Sequence, residues 1–362
     1  MDPHPVDTPI SPAIQREFSD FVASPRDGSQ FRNPWPHAQM ATIRDVLRWK
    51  TEANTARRKG YRPSAIPIAT TGLTDFEALP ASATRVFWIG HASFLVAMDG
   101  LRLIIDPIFG RAALVTPRVT RPAVRPEQLT NIDAVLVTHG HHDHLDPASL
   151  AAIARANDGR TLFIVPAGMS TLLPRECRHV VELSWWQHVV LGKLRVHFVP
   201  AQHWHQRTAF DRNKRLWGGY VIDGTHRVYH SGDTGYFGGF GAIGKVFGGI
   251  DASCLPLGAY EPSWFMSVQH MSPAQALQAY RDLACTHFIG MHWGAFDLSN
   301  EEIDAGPRWL YQAVADQALP PEHFHVLTPG GSVALQGGRG ETRSITRHPY
   351  LRTQPDGART HE

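Results

Sequence analysis

The sequence predicts an α/β protein in which mixed β-sheets are covered by helices. From about residue 85 onward, short apolar runs closed by turn residues alternate with segments of helical periodicity. Two Asp-Gly pairs, beginning at Asp99 and Asp223, each join two strand-like runs, which is a strong hairpin signal. Because the two hairpins have the same design, they also indicate an internally duplicated fold.

The elements can be predicted in chain order. Residues 1–80 are rich in Pro, Arg and Ser with a short helix near Thr42–Lys50, which favours an extension that wraps the core. Residues 81–336 are predicted to form the main α/β domain, and residues 337–362 a flexible tail. Besides the hairpins, this domain has predicted strands at 133–138, 161–166, 194–203, 251–257 and 287–292, and predicted helices at 146–156, 272–283 and 307–318.

Composition narrows the class of protein. The 362 residues are 43% hydrophobic and 19% charged, with a formal net charge of +2 and no long run of one sign, so no nucleic-acid partner is expected. The three cysteines form no Cys-x-x-Cys pair, which fits a reducing compartment. No secretory signal or long apolar stretch is visible. We therefore expect a cytoplasmic protein whose membrane contact, if any, is peripheral.

The stretch THGHHDHLD, residues 138–146, carries the densest side-chain chemistry. Its preceding strand ends at Thr138 and its following helix begins near Asp146-Pro147, so the cluster lies in a strand-to-helix loop. Alternate residues of an extended segment point the same way, so His139 and His141 can share one ion. The turn into the helix directs Asp143 and His144 toward a second ion, and the loop therefore predicts two adjacent metal sites.

Further ligands are expected where other strands end. His203, Asp233 and His292 each follow a strand-like run, and the carboxylate of Asp233 can bridge two cations. His197 and His205 compete with His203 for this role.

Two other residues at strand ends are assigned supporting roles. Asp106 ends a neighbouring strand and is expected to accept a hydrogen bond from a metal-binding histidine. His91 is interpreted as structural.

The motifs together resemble the metallo-β-lactamase fold superfamily, and more narrowly its family of phospholipases D that hydrolyse N-acylphosphatidylethanolamine. The resemblance spans about residues 31–330 and rests on FRNPWP, VLRW, WIGHASFLVAMD, DPIF, TRPAVRP, IDAVLVTHGHHDHLD, PAQHWHQRT, LWGGY, GDTGY, IGKVFG, GAYEPSWFMSVQHMSP and HWGAF. It implies an αββα sandwich, two zinc ions or other divalent transition metals, a phospholipid substrate and a homodimer. Residues 111–126, where that family shapes its acyl-chain groove, match only loosely.

The resemblance also implies a role for each site residue. One zinc would be held by His139, His141 and His203, and the other by Asp143, His144 and His292, with Asp233 bridging them. Asp143 and Asp233 would orient the attacking hydroxide, and His270 would bind the substrate phosphate or protonate the leaving group. Gln269 would lie in the same pocket wall, and Asp106 would support a histidine ligand.

The expected reaction is hydrolysis of N-acylphosphatidylethanolamine-like lipids to phosphatidic acid and N-acylethanolamine, by a hydroxide held between the metals. A covalent phosphohistidine route is disfavoured because no lysine stands two places after a histidine. The main alternative keeps the metals but takes a soluble lactone, cyclic phosphate or sugar phosphate. A nuclease, a di-iron redox protein and a non-catalytic binding protein are weaker alternatives.

Overall fold

A computed structural model describes residues 3–36, 42–56, 63–112, 116, 118–339 and 342–350. Its strands are β1 (Val6–Asp7), β2 (Arg26–Asp27), β3 (Gln30–Phe31), β4 (Thr84–Gly90), β5 (Ser93–Met98), β6 (Leu101–Ile105), β7 (Ala134–Leu136), β8 (Leu162–Pro166), β9 (His179–Leu183), β10 (Gln187–Leu191), β11 (Leu194–Val199), β12 (Gly219–Asp223), β13 (Arg227–His230), β14 (Ile250–Pro256), β15 (Cys285–Met291), β16 (Phe324–His325), β17 (Leu327–Gln336) and β18 (Arg343–Pro349).

Helices follow many of these strands. They are α1 (Pro12–Glu17), α2 (Ser19–Val22), α3 (Ile43–Ala56), α4 (Gly72–Glu77), α5 (Pro147–Ala156), α6 (Gly239–Phe247), α7 (Ser263–Met266), α8 (Pro273–Asp282) and α9 (Ala305–Asp316). Short 3-10 turns lie at Pro126–Gln128, Ser170–Leu172 and Pro321–His323. Within the described part of the chain, none of these helices is long and apolar enough to cross a bilayer.

Sixteen of these strands form two eight-stranded mixed sheets, which confirms the predicted fold class, and β2 pairs with β3 in a separate hairpin. The first sheet has the order β18-β17-β4-β5-β6-β7-β8-β9, and the second has the order β1-β10-β11-β12-β13-β14-β15-β16. In each, an antiparallel hairpin, β5–β6 or β12–β13, is followed by three parallel strands. This repeated strand order agrees with the duplication that the two hairpins indicate.

Local sequence explains the elements beside the loop at 138–146. The hairpin β5–β6 turns at Asp99 and Gly100, which both have positive φ, 52° and 84°, as its two-residue turn requires. Helix α5 begins as predicted, because the Asp146 side chain accepts a hydrogen bond from the Ala148 amide and Pro147 occupies the first turn. The loop is therefore bounded by a buried strand on one side and a capped helix on the other.

The core lies mainly between the two sheets. Large side chains from both inner faces are fully buried there, including Trp88 and Phe94 from the first sheet and Phe198 and Tyr220 from the second. A second apolar cluster covers the outer face of the first sheet, where Phe87 packs with Phe76 of α4. Helices thus cover sheets that pack face to face, and the sheets' strand ends are free to carry polar side chains.

The prediction of a flexible tail over 337–362 is wrong for residues 343–349. They form β18, which pairs antiparallel with β17 at the edge of the first sheet. The alternate residues Arg343, Ile345 and Arg347 are exposed, so an edge strand with one solvated face has the composition of a tail. Residues 351–362 lie outside the described residues, and the division at residues 80 and 336 stays a prediction.

A chain of hydrogen bonds through two histidines joins β18 to the second sheet. The Thr346 hydroxyl lies 2.8 Å from His325 Nδ1, His325 Nε2 lies 3.1 Å from His287 Nδ1, and His287 Nε2 lies 3.2 Å from the Thr342 carbonyl. With both rings neutral, one proton serves each of the three contacts, donated in that order. A second proton on His287 would set two N–H groups against each other at the contact with His325, whereas a second proton on His325 would reverse the contact with the Thr346 hydroxyl.

We therefore expect stability to fall on acidification. Burial, with His287 and His323 nearby, lowers the pKa of His325 from 6.5 to about 3. Below pH 6.5 the unfolded chain binds a proton at His325 that the folded chain does not. The free energy of unfolding therefore falls by about 2 kcal/mol between pH 7 and pH 5 because of this residue. Urea unfolding of the native protein and of His325→Gln at both pH values measures the effect. An equal pH dependence in the two proteins would contradict it.

Candidate metal centre

The ends of strands from both sheets meet at one edge of the sandwich. His91 follows β4, Asp106 follows β6, and the loop at 138–146 follows β7 in the first sheet. In the second sheet His203 follows β11, Asp233 follows β13 and His292 follows β15. Side chains that are far apart in the chain therefore converge on the loop, and all seven predicted metal ligands belong to groups close enough to hold an ion.

The first group consists of His139, His141 and His203. Nε2 of His139 and Nε2 of His203 each lie 3.0 Å from Nδ1 of His141. His139 and His203 are fully buried, and His141 is half-buried. Three ring nitrogens that point at one spot are a donor set for a borderline-soft transition metal.

The second group consists of Asp143, His144 and His292. Asp143 Oδ2 lies 3.6 Å from Nε2 of His144 and 3.6 Å from Nε2 of His292. His91 joins this group, with its Nε2 3.1 Å from the same carboxylate oxygen. His91 is thus more than the structural residue that the sequence predicts, and its position at the end of a buried strand, where the predicted ligands also lie, is the sequence signal for it.

Asp233 lies between the two groups and points one oxygen at each. Its Oδ1 lies 3.2 Å from His144 Nε2 and 3.1 Å from His292 Nε2. Its Oδ2 lies 3.8 Å from His139 Nε2 and 4.0 Å from His203 Nε2. A single buried carboxylate thus faces both groups, which is the arrangement that a bridging ligand needs.

Hydrogen bonds behind the histidines orient their rings. Asp106 is fully buried and its Oδ2 lies 2.7 Å from His144 Nδ1, while Thr138 donates its hydroxyl to the same oxygen at 2.5 Å. His203 Nδ1 lies 3.1 Å from the carbonyl oxygen of Gln269. Each acceptor holds a proton on Nδ1, so Nε2 of His144 and Nε2 of His203 face the cluster.

The amino-terminal segment supports His203 from behind. Asn33 donates a side-chain hydrogen bond to the His203 carbonyl at 3.0 Å, and Trp217 donates to Asn33 at 3.2 Å. Trp35 donates from its ring nitrogen to the side chain of Gln202 at 2.8 Å. The segment around FRNPWP therefore contacts the backbone that carries a site histidine.

Three site residues adopt left-handed backbone conformations. The φ angles of His91, Asp106 and His292 are 56°, 44° and 58°, a region that costs a residue with a Cβ atom about 1 kcal/mol or more. Each residue lies where a strand ends. The backbone turn there aims the side chain across the sheet edge instead of along the strand.

Charges in the site are balanced by protons on histidine. Burial opposes ionisation of Asp233, but His144 and His292 outweigh it and hold the pKa of this carboxyl well below its ordinary value. Burial likewise would lower the pKa of His292, but Asp233 and Asp143 raise it to about 9. His139 and His203 have pKa values well below 6.5, chiefly because they are buried and lie beside other histidines.

The arrangement fits divalent cations on its own terms. Asp233 Oδ1 lies 3.2 Å from His144 Nε2 and 3.1 Å from His292 Nε2, yet none of these three buried atoms makes a well-aligned hydrogen bond within the described residues. The carboxylates of Asp233, which is buried, and of Asp143, which is partly buried, require positive charge, which a cation would supply in place of the histidine protons. The residues that would hold it are the seven predicted ligands, with His91 beside Asp143.

Removing and restoring metal tests this fit. Zinc added to chelator-treated protein at about one hundred times its dissociation constant contributes about 2.7 kcal/mol, which raises the melting temperature by roughly 5 °C. Differential scanning calorimetry measures the shift. His142→Ala is the matched control, because His142 is exposed and lies outside the cluster. A melting temperature that does not respond to zinc or any other divalent transition metal would contradict the assignment.

The remaining predicted residues lie nearby or elsewhere. His270 Nδ1 lies 3.8 Å from Asp233 Oδ2, and burial lowers the pKa of His270 to about 4. Gln269 is buried, but its side-chain amide lies 4.0 Å from Met266 Sδ and only its carbonyl contacts a site histidine. His197 lies within β11, where its Nδ1 contacts the Thr8 hydroxyl, and it belongs to none of the groups that could hold an ion among the described residues.

Of the competitors for the metal role, His205 lies beside Asp211 and against Gly140. A Cβ atom at Gly140 would approach the His205 ring to 2.1 Å, so this loop position requires glycine. The ring of His205 therefore packs behind the loop instead of joining the nitrogens of the first group.

Comparisons with known proteins agree with this geometry. A family model described as "Beta-lactamase superfamily domain" matches residues 101–293 of the chain. The chain is 31% identical over 313 residues to N-acyl-phosphatidylethanolamine-hydrolyzing phospholipase D 1 of Caenorhabditis elegans, covering 80% of this chain and 87% of that protein. It is 33% identical over 353 residues to an uncharacterized protein of Mycobacterium tuberculosis, covering 93% and 89%.

A solved structure has the same fold. Igni18, a metallo hydrolase from the archaeon Ignicoccus hospitalis, superposes with a TM-score of 0.53 at 23% identity and covers 70% of this chain and 99% of its own.

Proposed function

The chain belongs to the β-lactamase superfamily and is a metal-dependent hydrolase homologous to N-acylphosphatidylethanolamine-hydrolysing phospholipase D, and from this premise we propose that it is a phosphodiesterase of the phospholipase D type. Its substrates would be N-acylphosphatidylethanolamine-like glycerophospholipids, and its products phosphatidic acid and N-acylethanolamine. The observation that carries the proposal is Asp233, one carboxylate facing two separate histidine groups. A related enzyme aligned over most of its length supplies the substrate class.

We propose two zinc ions as the metals, one at each group. Divalent cations bound there would lower the pKa of water and polarise a phosphoryl oxygen, which supplies a nucleophile at neutral pH without an activated serine or cysteine. The mixed nitrogen and carboxylate donor set suits zinc. Elemental analysis of the purified protein measures metal identity and stoichiometry.

The chain's own residues would orient the reaction. Asp233 and Asp143 are the only carboxylates of the two ligand groups among the described residues, so they are the acceptors for a proton of an attacking water. His270 faces Asp233 and, because its pKa is lowered to about 4, is neutral at pH 7. A neutral ring can bind a phosphate oxygen through its N–H group, and the lowered pKa favours this role over that of a protonated acid.

Product analysis tests the proposal. Purified protein with zinc restored is incubated with N-acylphosphatidylethanolamine in water enriched in oxygen-18. We expect labelled phosphatidic acid and unlabelled N-acylethanolamine, because water attacks phosphorus. Adding ethanol should give no phosphatidylethanol, since a transphosphatidylated product would indicate a covalent phosphohistidine instead.

A parallel assay covers the alternative. Lactones, cyclic phosphates and sugar-phosphate diesters are offered under the same conditions with the same metal. Turnover of one of these soluble compounds, with no product from any glycerophospholipid, would overturn the lipid assignment and leave the metal-dependent hydrolase in place. The homodimer that the resemblance implies also stays a prediction, which sedimentation would measure.

A further inference from the structure

Phe210 is the most exposed large hydrophobic side chain among the described residues, with 85% of its surface accessible. It lies in the connection between His205 and Leu216, in the stretch RTAFDRNKR. Thr208 and Ala209 beside it are also exposed. A single exposed apolar residue is ordinary on a protein surface, so the local structure around it decides whether it has a role.

The loop around Phe210 is held by its own hydrogen bonds. Asp211 Oδ1 accepts from the amides of Arg207 and Thr208 at 3.0 and 2.7 Å, and its Oδ2 lies 2.9 Å from Arg215 Nη1. Asn213 donates its amide to the His205 carbonyl at 2.8 Å. The loop therefore presents Phe210 on a fixed base, although burial of the ring would be favourable.

The same loop is joined to the metal centre. Arg207 Nη1 donates to the carbonyls of Gly140 and Leu145 at 2.7 and 2.9 Å, one within and one directly after the run of predicted metal ligands in the loop. The Trp204 ring lies 4.8 Å from the His141 ring, and the Arg212 guanidinium lies 5.5 Å from the Trp204 ring. Arg212, two residues after Phe210, therefore connects the loop to the His141 side of the centre through Trp204.

Exposed basic residues lie on the loop that carries Phe210 and on the neighbouring hairpin. Arg212 and Lys214 of the loop are exposed, and so are Arg26 and Arg32 of the neighbouring β2–β3 hairpin. This hairpin contacts the loop through hydrogen bonds from the Phe31 amide and the Gln30 side chain to backbone carbonyls of residues 213 and 212. Asp27 is the acidic residue of the hairpin and lies 3.6 Å from Arg32.

We propose that Phe210, together with the exposed basic residues of its loop and of the β2–β3 hairpin, forms a docking surface for an anionic phospholipid bilayer. The proposal rests on the proposed function, since a lipid-hydrolysing site must meet its substrate at a membrane surface. An apolar ring at a loop tip inserts among acyl chains, and flanking Arg and Lys side chains bind lipid phosphates at the interface. Docking at this loop brings the bilayer against the His141 side of the metal centre.

Vesicle sedimentation of the metal-loaded protein tests the docking surface without any turnover. The vesicles contain phosphatidylcholine alone or phosphatidylcholine mixed with phosphatidylserine. We expect tighter binding to the mixed vesicles, and about tenfold weaker binding for Phe210→Ala, because a partly inserted ring contributes roughly half of its burial energy. Lys214→Glu should weaken binding to the mixed vesicles alone, and Phe210→Trp should retain it.

Matched controls separate this proposal from the proposed function. Trp309→Ala removes an exposed aromatic ring on α9, which is 40% accessible, and should bind vesicles like the native protein. Phe210→Ala should keep its bound metal and its rate on a short-chain substrate below its critical micelle concentration, while losing rate on vesicles. Equal vesicle binding by Phe210→Ala and the native protein, or an equal loss in Trp309→Ala, would overturn the docking surface even if lipid hydrolysis is demonstrated. Vesicle binding that depends on Phe210 without phospholipid turnover would support the surface and reject the substrate.

Discussion

Asp233→Asn is expected to reduce turnover by more than a thousandfold, well above the 10- to 100-fold cost of changing a residue that only supports a metal ligand. The side chain keeps its shape but has one oxygen in place of two, so it can face only one of the two histidine groups. The substitution also removes the Asp233 charge, which together with Asp143 raises the pKa of His292. Bound metal should fall below that of the native protein.

Steady-state rates and elemental analysis of the variant measure both effects. Asp20→Asn is the matched control, because Asp20 is exposed in the first turn of α2. Native activity and a full complement of metal in Asp233→Asn would mean that this carboxylate does not join the two groups. A cooperative thermal unfolding transition of the variant, measured without urea, would show that the loss of activity is not a loss of fold.

Asp106→Asn is expected to lower metal affinity and activity by about 10- to 100-fold. Asp106 Oδ1 accepts the Thr138 amide at 2.7 Å, and Oδ2 accepts from both the Thr138 hydroxyl and His144. Asparagine tolerates the same left-handed backbone, so the substitution leaves the chain path intact and removes one acceptor oxygen. A ring or amide donor is then left without its partner in a buried site.

Zinc titration by calorimetry measures the change in affinity. Thr138→Val is the informative comparison, because it removes the hydroxyl that contacts both Asp106 and His139 and leaves the contact between Asp106 and His144 in place. We expect both variants to lose zinc affinity, Asp106→Asn through His144 and Thr138→Val through His139. If Asp106→Asn binds zinc as tightly as the native protein, the orientation of His144 does not depend on Asp106.

Much of the centre was predictable because its chemistry is local or lies at strand ends. The spacing of His139, His141, Asp143 and His144 predicts two sites within one loop, and the position of His203, Asp233 and His292 after buried strands predicts three further ligands. The structure places all seven in groups that could hold an ion. The fold class followed from the alternation of elements and from the two hairpins.

The residues that sequence reasoning missed act through contacts across the fold. His91 belongs to the second group only because β4 ends beside Asp143, and no spacing in the chain reports that neighbour. Arg207 holds the metal-binding loop through backbone carbonyls, which carry no sequence signal. The strand β18 was misread because its pairing with β17 and its histidine contacts, not its own composition, make it a strand.

The contacts of Asn33 and Trp35 with residues 202 and 203 restrict how the protein can be shortened. A fragment cut where the superfamily match begins, at residue 101, would lose the β4 strand as well as the amide that reaches the His203 carbonyl. Anyone designing a minimal version for expression or fusion should keep the chain from before residue 33.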